Sequence, residues 1–211
     1  MKKILLLMTA VMGLALASKA QSFGFQKGDG LLEGAIGVNS TDHKRTQQKT
    51  TTFSLSPKVG YFITNKTAIG ARVSYDQAKN TNYSGTNETY DLTNGMGVGV
   101  FVRHYFLEIG PRFKAYGEAG LGYSNAGGEF NNGTTTVKYD KNNTIGINGG
   151  VGANFFLTDN IAIGYQFANV IGFSTTKANT SGAKASNNFN VNLNSFGNFF
   201  STGQFSLTFK L

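Results

Sequence analysis

The chain has no cysteine, no tryptophan and only two prolines in 211 residues. Without cysteine there is no disulfide framework, no thiolate metal site and no cysteine nucleophile. Two prolines without a G-X-Y period exclude a collagen-like chain. Charge is scarce as well, at 14% of residues, against roughly 25% in an average soluble domain, which excludes a highly charged disordered chain. No apolar run reaches the ~18 residues that a spanning helix needs, and the mean hydropathy is slightly negative. A bundle of transmembrane helices is thereby excluded. A membrane β-barrel is not, because its apolar and polar residues alternate and cancel in any average. What the chain does contain is glycine, 28 residues, together with 18 phenylalanines and 9 tyrosines.

Residues 1–20 have the build of a secretory leader. Lys2 and Lys3 precede an apolar stretch over 4–17, and Ser18 and Ala20 place small side chains before Gln21. Two units are expected: a signal peptide over 1–20 and one barrel domain over 21–211. Removing Lys2, Lys3 and Lys19 leaves 16 basic against 11 acidic side chains, a net charge of +5. That is mild, and an exported chain without a dense basic stripe does not suit nucleic acid.

From residue 21 onward the apolar pattern has period two, the signature of strands with unlike faces. Phe53, Leu55, Pro57, Val59 and Tyr61 alternate with Ser54, Ser56, Lys58 and Gly60; Phe205, Leu207, Phe209 and Leu211 alternate with Ser206, Thr208 and Lys210. Eight strands are expected: 31–40, 53–61, 67–75, 94–105, 112–124, 144–156, 161–173 and 205–211. Most have the ~9–11 residues that cross a bilayer at a tilt. Their connections alternate strictly. Those at 64–66, 106–111 and 158–160 are short, whereas 41–50, 76–91, 125–143 and 174–200 are long and rich in Asn, Thr, Gly and Lys. A closed, antiparallel, up-and-down transmembrane barrel with tight periplasmic turns and long extracellular loops fits this alternation. An even strand count puts both termini in the periplasm. Residues 189–200 either extend the last strand or form a separate hairpin arm, and the last strand starts somewhere within 186–204. Odd-numbered apolar residues in both stretches favour the extension.

The faces sort by chemistry. Leu32, Ile36, Val38, Phe53, Leu55, Val59, Ile69, Val73, Met96, Val98, Val100, Val102, Leu121, Val151, Phe155, Ile163, Phe167, Phe205, Leu207 and Phe209 share the face expected to meet lipid. Glu33, Lys58, Arg72, Arg103, Lys114 and Glu118 fall on the opposite parity. An eight-stranded barrel has room inside only for its own side chains, so these charges must pair. One layer is expected, with a local net of +2, in which Glu33 and Glu118 are shared among Lys58, Arg72 and Arg103. Gly95, Gly97, Gly99, Gly120 and Gly122 would make room for arginine and Phe101. Tyr61, Phe62, Tyr75, Tyr105, Phe106, Phe113, Tyr123, Tyr165 and Phe173 suit two interfacial girdles.

No catalytic constellation emerges. The two histidines, His43 and His104, lie on separate segments, and Asp42 and His43 point apart in extended chain. Loop acids are scattered, without metal-ligand spacing. No catalytic residue, metal or cofactor is expected.

The segments GVFVRHYF (99–106), FKAYGEAGLGYS (113–124), FFLTDNIAIGYQF (155–167) and the terminal QFSLTFKL, together with the SKA-Q leader end, resemble the small outer-membrane β-barrel family of Gram-negative bacteria. The likeness is to the OmpX, OmpW and OmpA-barrel type, and most of all to barrel proteins of Bacteroidetes. The resemblance implies an outer-membrane location and lipid and lipopolysaccharide as surroundings. It also implies an assembly signal in Phe205, Leu207, Phe209 and Leu211 read by the barrel-assembly machinery, with Leu211 where the family usually has an aromatic residue. The function expected is structural or surface-interacting: envelope integrity, adhesion or defence, with host or surface ligands at the loops, and a monomer. The alternative is a narrow porin-like conduit for ions or small apolar molecules.

Overall fold

The computed structural model describes residues 23–84, 87–192 and 204–211. The expected leader over 1–20 and the assignment of residues 193–200 lie outside the described residues, as does the side chain of Phe167. The described strands are β1 (Gly30–His43), β2 (Gln48–Phe62), β3 (Thr67–Ser84), β4 (Asn87–Ile109), β5 (Phe113–Asn131), β6 (Thr136–Phe156), β7 (Ile161–Ala178), β8 (Ser186–Val191) and β9 (Gln204–Lys210). Each from β1 to β7 pairs antiparallel with the next. β9 then pairs with both β7 and β1, and the sheet closes on itself.

The ring has eight positions, and the eighth is shared. β9 occupies it at the end that carries the termini, and β8 occupies it further along β7. Ile161 faces Phe209 whereas Ile171 faces Val191, so the chain between β8 and β9 is eight residues longer than an unbroken strand would be. Eight is even, so Phe189 and Val191 keep the outward face of Phe205. β8 thus lies beside β7 beyond the end of β9, and the choice between an extension of the last strand and a separate arm falls on residues outside the described ones.

The connections at the end that bears the termini (the turn end) are tight for local reasons. In both 63–66 and 157–160 a threonine hydroxyl organises the turn. Thr64 Oγ1 accepts from the amides of Lys66 and Thr67 at 3.2 and 2.9 Å. Thr158 Oγ1 does the same for Asn160 and Ile161 at 3.3 and 3.1 Å. Threonine and asparagine offer the backbone this kind of local partner. At the opposite end the expected long loops are mostly strand. β1 and β2 stay paired to His43–Gln48, β3 and β4 to Ser84–Asn87, and β5 and β6 to Asn131–Thr136. The connections are long and gathered at one end, as expected, but they are hairpins. Their threonines are good strand formers, and cross-strand polar pairs such as Thr50 Oγ1 donating to Asn80 Oδ1 at 2.9 Å hold them.

The faces are the inverse of a water-soluble protein. Met96, Val98, Val100 and Val102 are 44–63% exposed, while Arg103 is 0% exposed. None of the described side chains assigned outward is buried. A two-sheet sandwich would have put those aliphatics in its core. The apolar band runs from Phe113 to Tyr123 on β5 and from Ile145 to Phe155 on β6, the length that a tilted strand needs to cross a bilayer. Asn125 and Asn143 mark its limit, with Asn125 Nδ2 donating to Asn143 Oδ1 at 2.6 Å. Most of the aromatic residues assigned to girdles stand outside, among them Tyr61, Phe106, Tyr123 and Phe173. Phe62 and Tyr105 do not: at 0% and 2% exposure they are inside. Each follows an outward neighbour (Tyr61, His104) by one residue, and parity outweighs position along the strand.

Val100 sits in the middle of the outward band. Val100→Lys should lower the free energy of folding into vesicles by about 2–4 kcal/mol, read by urea titration. Ser74→Lys, on the inward face of the polar half, should cost less than half as much.

Candidate functional site: the filled lumen

Two layers fill the lower part of the barrel, counted from the turn end upward. The first is aromatic. Phe25, from the segment that precedes β1, stacks on Phe62 with centroids 4.2 Å apart and meets Phe156 at 5.4 Å and Tyr105 at 5.6 Å. Leu31, Ala68, Phe101, Tyr116 and Ala162 complete the cluster, all buried. Lys210 Nζ donates to the carbonyl of Gly24 at 3.0 Å and holds that segment beneath the ring. This floor has no signature in the sequence, since Phe25 precedes the first alternating segment.

The second layer is ionic and centres on Arg103. Its guanidinium donates to both oxygens of Glu33, Nη1 to Oε2 at 2.8 Å and Nη2 to Oε1 at 2.9 Å. It also donates to Glu118 Oε2, from Nε at 2.8 Å and Nη2 at 2.6 Å. The planar fork suits two carboxylates at once, which a lysine at this position could not engage in the same way. Lys58 Nζ closes the group, 2.8 Å from Glu118 and 3.4 Å from Glu33. Neutral side chains satisfy the remaining valences. Gln166 accepts from Lys58 at 2.7 Å and donates to Glu118 at 3.0 Å, and Thr208 donates to Glu33 at 3.1 Å. The Tyr116 ring lies under the guanidinium, its centroid 3.9 Å from Cζ. Asn154 links the layers, accepting from Tyr105 Oη at 2.7 Å and donating to Thr208 at 3.0 Å. Gln166, Thr208 and Asn154 were not singled out from sequence. Their only signal is an inward parity shared with many other polar residues.

Of the six inward charges, four meet here: Glu33, Lys58, Arg103 and Glu118. Two cations and two anions leave this layer neutral, in place of the expected +2. Arg72 is not part of it. Strands of a closed barrel tilt, so a row of directly paired residues climbs along the axis. The row from Glu33 runs through Lys58 and Arg72 to Gly99, four residues beyond Arg103 on β4. At ~3.3 Å per residue this puts Arg72 roughly 13 Å nearer the hairpin end. Like charges directly opposite repel, and the two side chains diverge: Lys58 to Glu118, Arg72 to Asn148 Oδ1 at 2.7 Å. Arg72 lies across glycines, as expected. A Cβ on Gly99 would come 3.0 Å from its Nε, and one on Gly120 3.2 Å from its Nη2. Phe101 fits instead against Gly60 and Gly70 on β2 and β3, which the sequence reading did not single out for it.

Lys114 is separate too. It lies at the turn-end rim, where Nζ donates to Glu108 at 2.8 Å. That hydrogen bond, with the lysine charge, holds the Glu108 carboxyl below its ordinary range.

The histidines are far apart. His43 ends β1 at the hairpin end, next to Asp42, which pairs with Lys44 at 2.8 Å. His104 points outward near the turn end, with Nδ1 3.0 Å from Thr67 Oγ1. Among the described residues no group of three or more metal-ligating side chains occurs. Phe205, of the proposed terminal signal, lies edge-on to Tyr165 with centroids 4.7 Å apart, and Leu207 and Phe209 pair with both neighbouring strands.

A closed antiparallel sheet, apolar outside and packed with paired charges inside, defines a transmembrane β-barrel. The chain belongs to the outer membrane protein beta-barrel domain family, whose model matches residues 4–195. Among solved structures it is similar to the outer membrane protein OprG of Pseudomonas aeruginosa, at 12% identity over 89% of this chain and 98% of that one, TM-score 0.47. It is also similar to outer membrane protein W of E. coli (13%, 88% and 99%, 0.46) and to the N-terminal β-barrel domain of Pseudomonas aeruginosa OprF (14%, 88% and 98%, 0.42). No curated protein matches the sequence.

Arg103→Met strands two buried carboxylates and should cost about 3–5 kcal/mol. Adding Glu33→Gln should recover part of that loss, giving a coupling of more than about 1 kcal/mol in a double-mutant cycle. At the rim, Glu108→Gln should cost under about 1 kcal/mol at neutral pH, because the pair is half exposed and screened. A lowered carboxyl pKa stabilises the fold above the ordinary value and stops doing so as pH falls through the lowered one. The difference between parent and variant should therefore vanish well below about pH 4, as seen in unfolding titrations at several pH values.

Proposed function

We propose that the protein is a non-catalytic, non-conducting barrel of the outer membrane. On this reading its contribution to the envelope is made by a rigid wall and by the hairpins that wall displays to the outside. One observation carries the reading: two consecutive layers, one of packed aromatic rings and one of paired charges, fill the lower lumen. The aromatic floor offers an ion no charged ligand. Above it, Arg103 is fully buried between Glu33 and Glu118. A conducting path would have to disperse both, at several kcal/mol per exposed ion.

In this proposal the turn end with both termini faces the periplasm, after export directed by residues 1–20, and the hairpins β1–β2, β3–β4 and β5–β6 stand outside. Their exposed polar tips, such as Lys44 and Arg45, are where host or surface ligands and lipopolysaccharide would be met. Loops on a rigid scaffold are the usual seat of such binding. Phe205, Leu207, Phe209 and Leu211 serve as the segment that the barrel-assembly machinery engages, and the barrel works as a monomer.

Two measurements test this. In planar bilayers the refolded protein, shown to be folded by a mobility shift between unboiled and boiled samples, should give no channel events; regular unitary currents would restore the porin-like alternative. Trypsin added to intact cells should cut at Lys44 or Arg45 and spare Lys66 and Arg112 at the turn end. The reverse pattern would invert the orientation.

A further inference from the structure

Above the ionic layer the lumen opens into a cavity of about 740 Å³, within the range of small-molecule sites. Its floor is Lys58 and Gln166, already engaged in the network. Its walls carry hydroxyls and amides from facing strands, among them Ser56 and Ser74 on one side and Thr144 and Asn190 on the other, interspersed with apolar residues such as Val98 and Ile147. No carboxylate lines it among the described residues. Glycines keep the walls low: a Cβ on Gly97 would come 2.6 Å from Ser74 Oγ, and one on Gly172 2.7 Å from Asn190 Oδ1.

Arg72 is the group this cavity leaves electrically unanswered. The ionic layer below is neutral in itself, and no carboxylate among the described residues forms an ion pair with Arg72. Its hydrogen-bond partner, Asn148, offers a neutral amide oxygen. Asp76, four residues on along β3, is outside the cavity lining. A part-buried guanidinium with a neutral partner is a ready receptor for a carboxylate, with which it forms short, charge-assisted bonds. The surrounding hydroxyls and amides, each able to donate and accept, match a ring bearing several hydroxyls.

We infer that the cavity is a binding site for a small acidic sugar, a uronic acid or its like, held by its carboxylate on Arg72 and by its hydroxyls on the serine, threonine and asparagine walls. The site goes beyond the surface role proposed above and does not depend on it.

The test is calorimetric titration of the refolded mature chain in detergent with three probes: sodium glucuronate, glucose and inorganic phosphate. Glucuronate should bind saturably. Glucose, without the carboxylate, should bind at least ~10-fold more weakly, and phosphate, without the hydroxyls, likewise. Arg72→Gln should lose ~10-fold or more in glucuronate affinity. Asn148→Asp supplies an internal carboxylate to Arg72; it should abolish binding while leaving thermal stability equal or higher, so that a folding defect in the first variant leaves the question answerable. Unboiled and boiled mobility verifies the fold of each. Absence of saturable glucuronate binding would overturn the inference. So would glucose or phosphate equal to glucuronate, or undiminished affinity in either variant.

Discussion

The whole molecule depends on a seam of seven residues. β9 meets β1 over Leu31–Gly34 and β7 over Ile161–Gln166. Backbone amides and carbonyls have no partner in hydrocarbon, so a sheet persists there only when it has no edge. Leu211 reinforces the seam by exchanging both backbone hydrogen bonds with Gly30, each at 3.0 Å. Register matters as much as pairing, because a slip of one residue moves every side chain to the other face. A slip of β9 would turn Phe205 and Phe209 inward and Thr208 out. The Thr208 hydrogen bond to Glu33 therefore ties closure of the ring to the charge network.

Closure then dictates the interior. An inward charge has no bulk water beside it, and each must be answered by another residue. Arg103 is answered twice, by Glu33 and Glu118, and Lys58 holds the second oxygen of each pair. Buried ion pairs of this kind contribute less to net stability than their distances suggest, because desolvation offsets most of the attraction. Their effect is on specificity. Glu33, Lys58, Arg103 and Glu118 come from β1, β2, β4 and β5, so the network is satisfied in one arrangement of four strands.

The sequence made the alternation legible, and with it the strands, the closed class and the two faces. It also made legible that Glu33 and Glu118 would be shared by Arg103 and Lys58, since the inward charges are few and must pair. It did not reveal that Arg72 stands apart. An expectation of one layer treats strands as level, whereas tilt lifts each successive row. Phe62 and Tyr105 lie inside because parity decides the face, whereas aromatic character near a strand end points to an interface. The Thr, Asn and Gly composition of the hairpins suits both loop and strand, and only the cross-strand partner chooses between them. Phe25 had no pattern around it, and its place in the floor is a tertiary fact.

The interior is graded, and the grading follows from what each layer excludes. The aromatic floor excludes water; the ionic layer tolerates none that would separate its partners; the polar cavity above admits it. Within the hairpins the grading continues. β6 carries one extra residue between its pairings to Ala126 and Gly128, which exchanges its two faces and brings Tyr139 to donate to Asp91 across β5 at 2.7 Å. The bulge re-aims side chains where the sheet leaves the apolar band, a common use of bulges at barrel rims. Arg72 lies at the boundary between the dry and the wet halves. It is shielded enough for its charge to be strong, and its facing glycines leave it open enough for that charge to be reached from the hairpin side. A cation placed lower would need a carboxylate from the chain, as Arg103 has. One placed higher would be screened by solvent.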